Sequence, residues 1–166
     1  VTSGNGVVGA TQTLTATSTA TTITETIPAG YVLASASCSG LGAGGTATPN
    51  LATGALLLDA AATAAGSAIS CTFTNTKRPT VTLTKISNGG VGGFTFTGTN
   101  GWASQTITTV TSGIGVSGAL QTLTAASTAT TIPETIPAGY VLLSATCTGL
   151  VAGGTATPNR GPGARA

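Results

Sequence analysis

The sequence predicts an all-β protein made of β-sandwich modules in tandem. Three observations carry that prediction: composition, two-residue alternation and a long internal repeat. Thr supplies 37 of the 166 residues and Gly another 25, whereas charged residues are only 5%. Thr and Val favour a pleated, half-buried surface, and Gly supplies turns. The strong helix formers Glu, Lys, Gln and Met are scarce or missing. With 40% hydrophobic residues the chain is too apolar for a disordered segment. Its polar surface must be hydroxyl rather than ionic.

The repeat sets the organisation. Residues 1–50, from "VTSGNGVVGA" to "GGTATPN", recur at 110–159 with 41 of 50 positions identical and an offset of 109 residues. A period of that length is domain-sized and longer than a solenoid repeat. The natural seam lies in "NTKRPT", where charges cluster and Pro79 lacks a ladder donor. On this reading residues 1–77 are the C-terminal part of one sandwich repeat. Residues 78–166 are the N-terminal part of the next. The chain opens on Val1 with neither Met nor a signal-like stretch, so it reads as an excerpt or a processed product. Residues 160–166, "RGPGARA", depart from the matching "LATGALL" at 51–57.

Alternating runs between turn signals place strands at 11–16, 20–25, 30–37, 55–58 and 68–76 in the first part. In the second they fall at 80–86, 93–98, 104–110, 120–125, 129–134 and 139–146. A complete module would carry seven or eight short strands, the number of a sandwich. The Ala-rich window at 55–69 is read as strand, loop and strand, with a short helix over 59–66 as the alternative. Trp102, the lone tryptophan, is expected as a core plug.

Several function classes lack material. There is no His, and the only acids are Glu25, Asp59 and Glu134. No paired carboxylates, Ser-His or Cys-His constellation or phosphate loop can be assembled. No cofactor or metal is implied. A net charge of +2 gives no basic stripe for nucleic acid. No apolar run approaches the roughly 18 residues needed to span a membrane as a helix.

Four polar residues of three kinds, an amide, an amine and two carboxyls, fall on apolar strand phases. In "CTFTNT" Asn75 is in line with Cys71 and Phe73, and in "VTLTKI" Lys85 is in line with Val81 and Leu83. Glu25 lies between Ile23 and Ile27, and Glu134 between Ile132 and Ile136. Burying a lone charge is costly and favours its neutral form. An amine, an amide and a carboxyl could resolve that cost together: the amine attacks the amide carbonyl, the carboxyl relays protons, and ammonia leaves. The alternative is that these side chains cap strand ends with their polar tips in water.

The residues "VTLTKI", "ETIPAGY" and "CTFTNT" resemble the Cna-B/SpaA-like prealbumin-fold repeats of bacterial surface proteins and pilins, over essentially the whole period. The "E-T-x-P-A-G-Y" box is the most specific piece. The resemblance implies prealbumin-like, Ig-like sandwiches with an intramolecular isopeptide bond. Lys85 would be the amine, Glu25 and Glu134 the proton shuttles, and Asn75 the acceptor. Lys85 and Glu134 belong to the later module, Glu25 and Asn75 to the earlier.

Cys38 follows strand 30–37 and Cys71 lies in the closing strand, so a Cys38–Cys71 disulfide is expected, in an oxidising extracytoplasmic setting. Cys147 is Cys38 plus 109 and lacks its mate in this stretch. Buried free thiols are the alternative. Near-identical stapled sandwiches imply a structural part of an extracellular stalk, adhesin shaft or fibre. Its partners would be neighbouring repeats or subunits of a filament. A binding module for glycan, host protein or ice is the other class, although the Thr ladders are also what a charge-poor sandwich puts in water.

Overall fold

The computed structural model describes residues 7–159, so the divergent stretch 160–166 lies outside the described residues. The chain divides between Lys77 and Arg78 into two compact units. Twelve strands and no helix are found among the described residues, and every pairing is antiparallel. The window 59–66 is a run of turns rather than a helix.

The first unit contains β1 (Thr21–Thr24), β2 (Tyr31–Ser39), β3 (Ala47–Asn50), β4 (Ala55–Leu58) and β5 (Ser70–Lys77). Strand β4 is central in the three-stranded sheet β1-β4-β3, and β2 pairs with β5. Because side chains alternate, "ALLL" in β4 buries Leu56 and Leu58 and leaves Leu57 exposed. Leu56 joins Leu33 and Ala36 in a core flanked by Ile27, Cys38, Cys71 and Phe73. The β3–β4 turn is held by Asn50 Oδ1, which accepts from Ala52 and Thr53 N–H at 3.2 and 3.3 Å. Its last residue, Gly54, has φ +73, and a Cβ there would strike the Glu25 carbonyl. The Gly54 carbonyl accepts the Glu25 N–H at 2.9 Å, so this turn fixes where Glu25 stands.

The second unit contains β6 (Thr80–Val81), β7 (Thr84–Lys85), β8 (Gly93–Phe96), β9 (Gln105–Thr108), β10 (Val116–Ser117), β11 (Gln121–Thr122) and β12 (Glu134–Thr135). One sheet runs β12-β8-β9, while β10 pairs with β7 and β11 with β6. The alternation in "GFTF" buries Phe94 and Phe96, which pack with Trp102, Ile107 and Leu123. Trp102 is thus a core residue. Asn100, at φ 54, ties the sheet to a distant loop. It accepts from Ala125 N–H at 2.8 Å and donates to the Ala125 carbonyl and Thr130 Oγ1, both at 3.0 Å.

Some expected strands do not form, for a common reason. Segment 11–16 has no ladder, whereas its counterpart in the second unit pairs at Gln121–Thr122 with Thr80–Val81. Segment 139–146 also has no ladder, whereas its counterpart β2 is the longest strand of the first unit. A strand exists only where a neighbour takes up its backbone groups. The first unit has no counterpart of residues 78–109, and the second has none of β5. The run 80–86 is split into β6 and β7, and strand β3 has an unforeseen role because its "ATPN" shows no alternation.

The Thr residues meet one another across strands. Thr95 and Thr106 hydroxyls lie 2.8 Å apart, and Thr84 and Ser117 2.9 Å apart, which is ordinary cross-strand pairing on a wet face. No described helix is long and apolar enough to cross a membrane.

Candidate functional site

The alternation seen in the sequence is real in space. Val81, Leu83 and Lys85 are half-buried while Thr82, Thr84 and Ile86 are exposed. Cys71, Phe73 and Asn75 are half-buried while Thr72 and Thr74 are exposed. The strand period therefore carries one ammonium and one amide inward, each beside a carboxylate.

In the second unit the Lys85 Nζ lies 2.6 Å from Glu134 Oε1, with the two side chains only 15% and 7% exposed. The same ammonium sits 4.3 Å from the centroid of the Phe94 ring, so a π face covers it. Phe94 is itself held edge-on by Tyr140, with centroids 5.1 Å apart. The Tyr140 hydroxyl donates to the Val91 carbonyl at 3.1 Å. Glu134 is placed by β12, where it stands opposite Phe96. Two further backbone bonds, Thr97 N–H to Pro133 O and Thr99 N–H to Thr131 O, hold that edge.

In the first unit Asn75 Nδ2 donates to Glu25 Oε1 at 2.5 Å. Asn75 stands in β5 opposite Leu33, beside the bulge between Leu33 and Ser35. Two buried atoms here have no hydrogen-bond partner, Glu25 Oε2 and Asn75 Oδ1. Orphaned buried acceptors cost about 1–3 kcal/mol each. A lysine ammonium, which has three donors and no acceptor, is the group that fits them.

Glu25 and Glu134 occupy the same repeat position, 109 residues apart. At one copy that carboxylate grips the amide, and at the other the ammonium. Neither unit contains a lysine, glutamate and asparagine at all three repeat positions, because Lys85 belongs to the second and Asn75 to the first. Sequence reasoning did not find Phe94 and Tyr140 as the walls of the lysine site. The signal was there in "FTFTG" and in the Tyr of "PAGY", but alternation marks only burial and not what is buried against what.

Cys38 and Cys71 stand opposite one another on β2 and β5 and are joined by a disulfide with S–S 2.02 Å. Cys147 is free and exposed. Among the described residues no group of three His, Cys, Asp or Glu could hold a metal ion. Asp59 is a half-buried structural residue. Its carboxylate accepts from Thr46 Oγ1 at 2.6 Å, Thr46 N–H at 3.1 Å and Ala62 N–H at 2.8 Å. Those bonds, the Thr46 hydroxyl first, hold its pKa below the usual 3.8.

In each unit, antiparallel sheets closed over a small apolar core, with polar groups drawn inward, define a β-sandwich class of domain. The sequence model of the prealbumin-like fold domain of SpaA type matches residues 1–77 and again residues 81–166. The chain belongs to that family. Searches of curated proteins and of solved structures found no match.

Proposed function

We propose that this chain is a structural repeat of an extracellular bacterial surface stalk, adhesin shaft or self-assembling fibre. Its complete module is stapled by an amide bond between the lysine of the Lys85 position and the asparagine of the Asn75 position. The supporting observation is the shared glutamate position, which bonds the amide in one copy and the ammonium in the other.

A module of one full period holds residues 78–159 followed by the segment 51–77, because Asn159 and Asn50 are the same repeat position. In it the glutamate touches both reactants. The carboxylate takes a proton from the ammonium, and the freed Nζ attacks the Asn75 Cγ. The carboxyl then delivers that proton to the departing Nδ2, ammonia leaves, and the carboxylate takes up the second proton shed by Nζ as the neutral Lys–Asn amide forms. The Phe94 ring and the surrounding core shield the reacting groups from water.

Such a bond joins the opening and closing strands of a module, so tension along the chain would pass through covalent bonds. The Cys38–Cys71 bond fastens the closing strand a second time. Both features suit a load-bearing spacer in an oxidising setting.

The test is the intact mass of a single chain of residues 78–159 continued by 51–77, taken under reducing conditions after circular dichroism has shown β structure. The expected mass is lighter than the sequence by one ammonia, about 17 Da. Lys85→Ala and Asn75→Ala should each restore the sequence mass. A folded chain of unaltered mass would overturn the staple.

A further inference from the structure

We propose that Asn88–Gly89 is a self-modifying site: the Gly89 nitrogen closes onto the Asn88 carboxamide, ammonia leaves, and the loop acquires a carboxylate as the protein ages. The reaction needs neither the amide staple nor its residues.

The sequence contains Asn-Gly at 5–6, 88–89 and 100–101, of which the first lies outside the described residues. Glycine after asparagine leaves the backbone nitrogen unobstructed, because no Cβ stands beside it. Local sequence therefore makes the two described pairs equally reactive. The fold separates them.

Alternation past the end of β7 turns Lys85 and Ser87 inward and Ile86 and Asn88 outward. Ser87 is buried, and its Oγ lies 2.7 Å from both the Gly90 carbonyl and Thr109 Oγ1. Thr109 Oγ1 in turn accepts the Gly92 N–H at 3.1 Å. These hydroxyls fasten both feet of the loop, and the Ser87 carbonyl accepts the Gly113 N–H at 2.8 Å. Asn88 and Gly89 are left exposed between them. The Gly89 N–H donates to Ser112 Oγ at 2.9 Å, and a Cβ at Gly89 would meet nothing within 4 Å. The Asn88 carboxamide makes no hydrogen bond among the described residues, so it is free to turn toward that nitrogen.

Asn100 carries the same dipeptide with its side chain fully engaged. Its Oδ1 accepts from Ala125 N–H at 2.8 Å, and its Nδ2 donates to the Ala125 carbonyl and Thr130 Oγ1, both at 3.0 Å. All three bonds must open before the carboxamide can reach the Gly101 nitrogen. The Thr124 side chain also crowds Gly101.

The reaction balances with water alone. Hydroxide removes the Gly89 amide proton, and the nitrogen attacks Asn88 Cγ. The new N–C bond closes a succinimide, the Cγ–Nδ2 bond breaks, and Nδ2 leaves as ammonia with a proton from water. Water then opens the imide at either carbonyl, giving aspartate or isoaspartate and lowering the formal net charge of +2 by one. Isoaspartate also adds a main-chain carbon between the Gly113 and Ser112 bonds, which loosens the loop.

The test is ageing of the 166-residue protein in mildly alkaline buffer, folded and in urea. Chymotrypsin, cutting after Phe94, Phe96 and Trp102, then places Asn88 and Asn100 on separate peptides, and each conversion is read as a small gain in peptide mass. In the folded protein Asn88 should convert roughly tenfold or more faster than Asn100, because opening three hydrogen bonds depletes the reactive population by about that factor. In urea the two should convert at equal rates. Asn88→Gln should leave its peptide unconverted. Equal rates in the folded protein, a difference that persists in urea, or an Asn88 peptide of constant mass would each overturn the proposal. Alkaline hydroxylamine separates the imide from the staple, since both have lost one ammonia. It should cut the aged chain between residues 88 and 89, whereas a lysine amide stays whole; an aged chain left uncut there would count against the imide.

Discussion

Removing the Cys38–Cys71 bond should destabilise the first unit and leave the second in place. The perturbation is Cys38→Ser with Cys71→Ser, in a Cys147→Ser background that prevents reshuffling. The bond spans a sequence separation of 33 residues. In the chain-entropy model a closed loop of that size restricts the unfolded chain by roughly 4 kcal/mol. A small domain has about 5–15 kcal/mol of stability in total, so the loss would be a large share of it. The assay is urea unfolding followed by two probes. Trp102, in the core of the second unit, provides fluorescence from that unit alone, because the first unit has no tryptophan. Far-ultraviolet circular dichroism reports both. With a urea slope near 1–2 kcal/mol per molar, the first unit's midpoint should fall by roughly 2–4 M while the Trp102 transition stays put. A fall under about 0.5 M would refute the reasoning, since it would mean that the loop costs little entropy without the bond.

Two further expectations concern the site and the pH response. Phe94 is fully buried and lies between the Lys85 ammonium and Tyr140. Phe94→Ala should cost about 3–5 kcal/mol in the Trp102-monitored transition, and a loss below about 1 kcal/mol would deny it a central place in the core. The pKa of Asp59 is lowered in the folded state, so its contribution is present above the unfolded carboxylate value and is lost as pH falls through the folded one. The melting temperature of the first unit should therefore drop below about pH 4, and Asp59→Asn should flatten that drop; an unchanged acid slope would show that the Thr46 and Ala62 bonds do not matter.

How much was legible can be judged residue by residue. The all-β class followed from Thr, Val and Gly content, and the inward phase of Lys85 and Asn75 from alternation, since both are local properties. The buried faces of β4 and β8 were likewise readable from "ALLL" and "GFTF". The Cys38–Cys71 bond was signalled by both cysteines belonging to one module, whereas the pairing of β2 with β5 that sets them opposite was not. What was not legible was pairing. Segments 11–16 and 139–146 alternate as well as many real strands, yet they have no ladder. Nor could alternation say that Phe94 lies under the lysine, because that contact joins two strands separated by a loop.

By itself the sequence determined the class of structure, the 109-residue period and which side chains face inward, because a strand's periodicity depends only on its own backbone. The tertiary structure alone decided which stretches became strands and which partner each inward polar group met. A strand's hydrogen bonds and a buried carboxylate's partners are both supplied by other parts of the chain. That is why one glutamate position holds an amide in the first unit and an ammonium in the second.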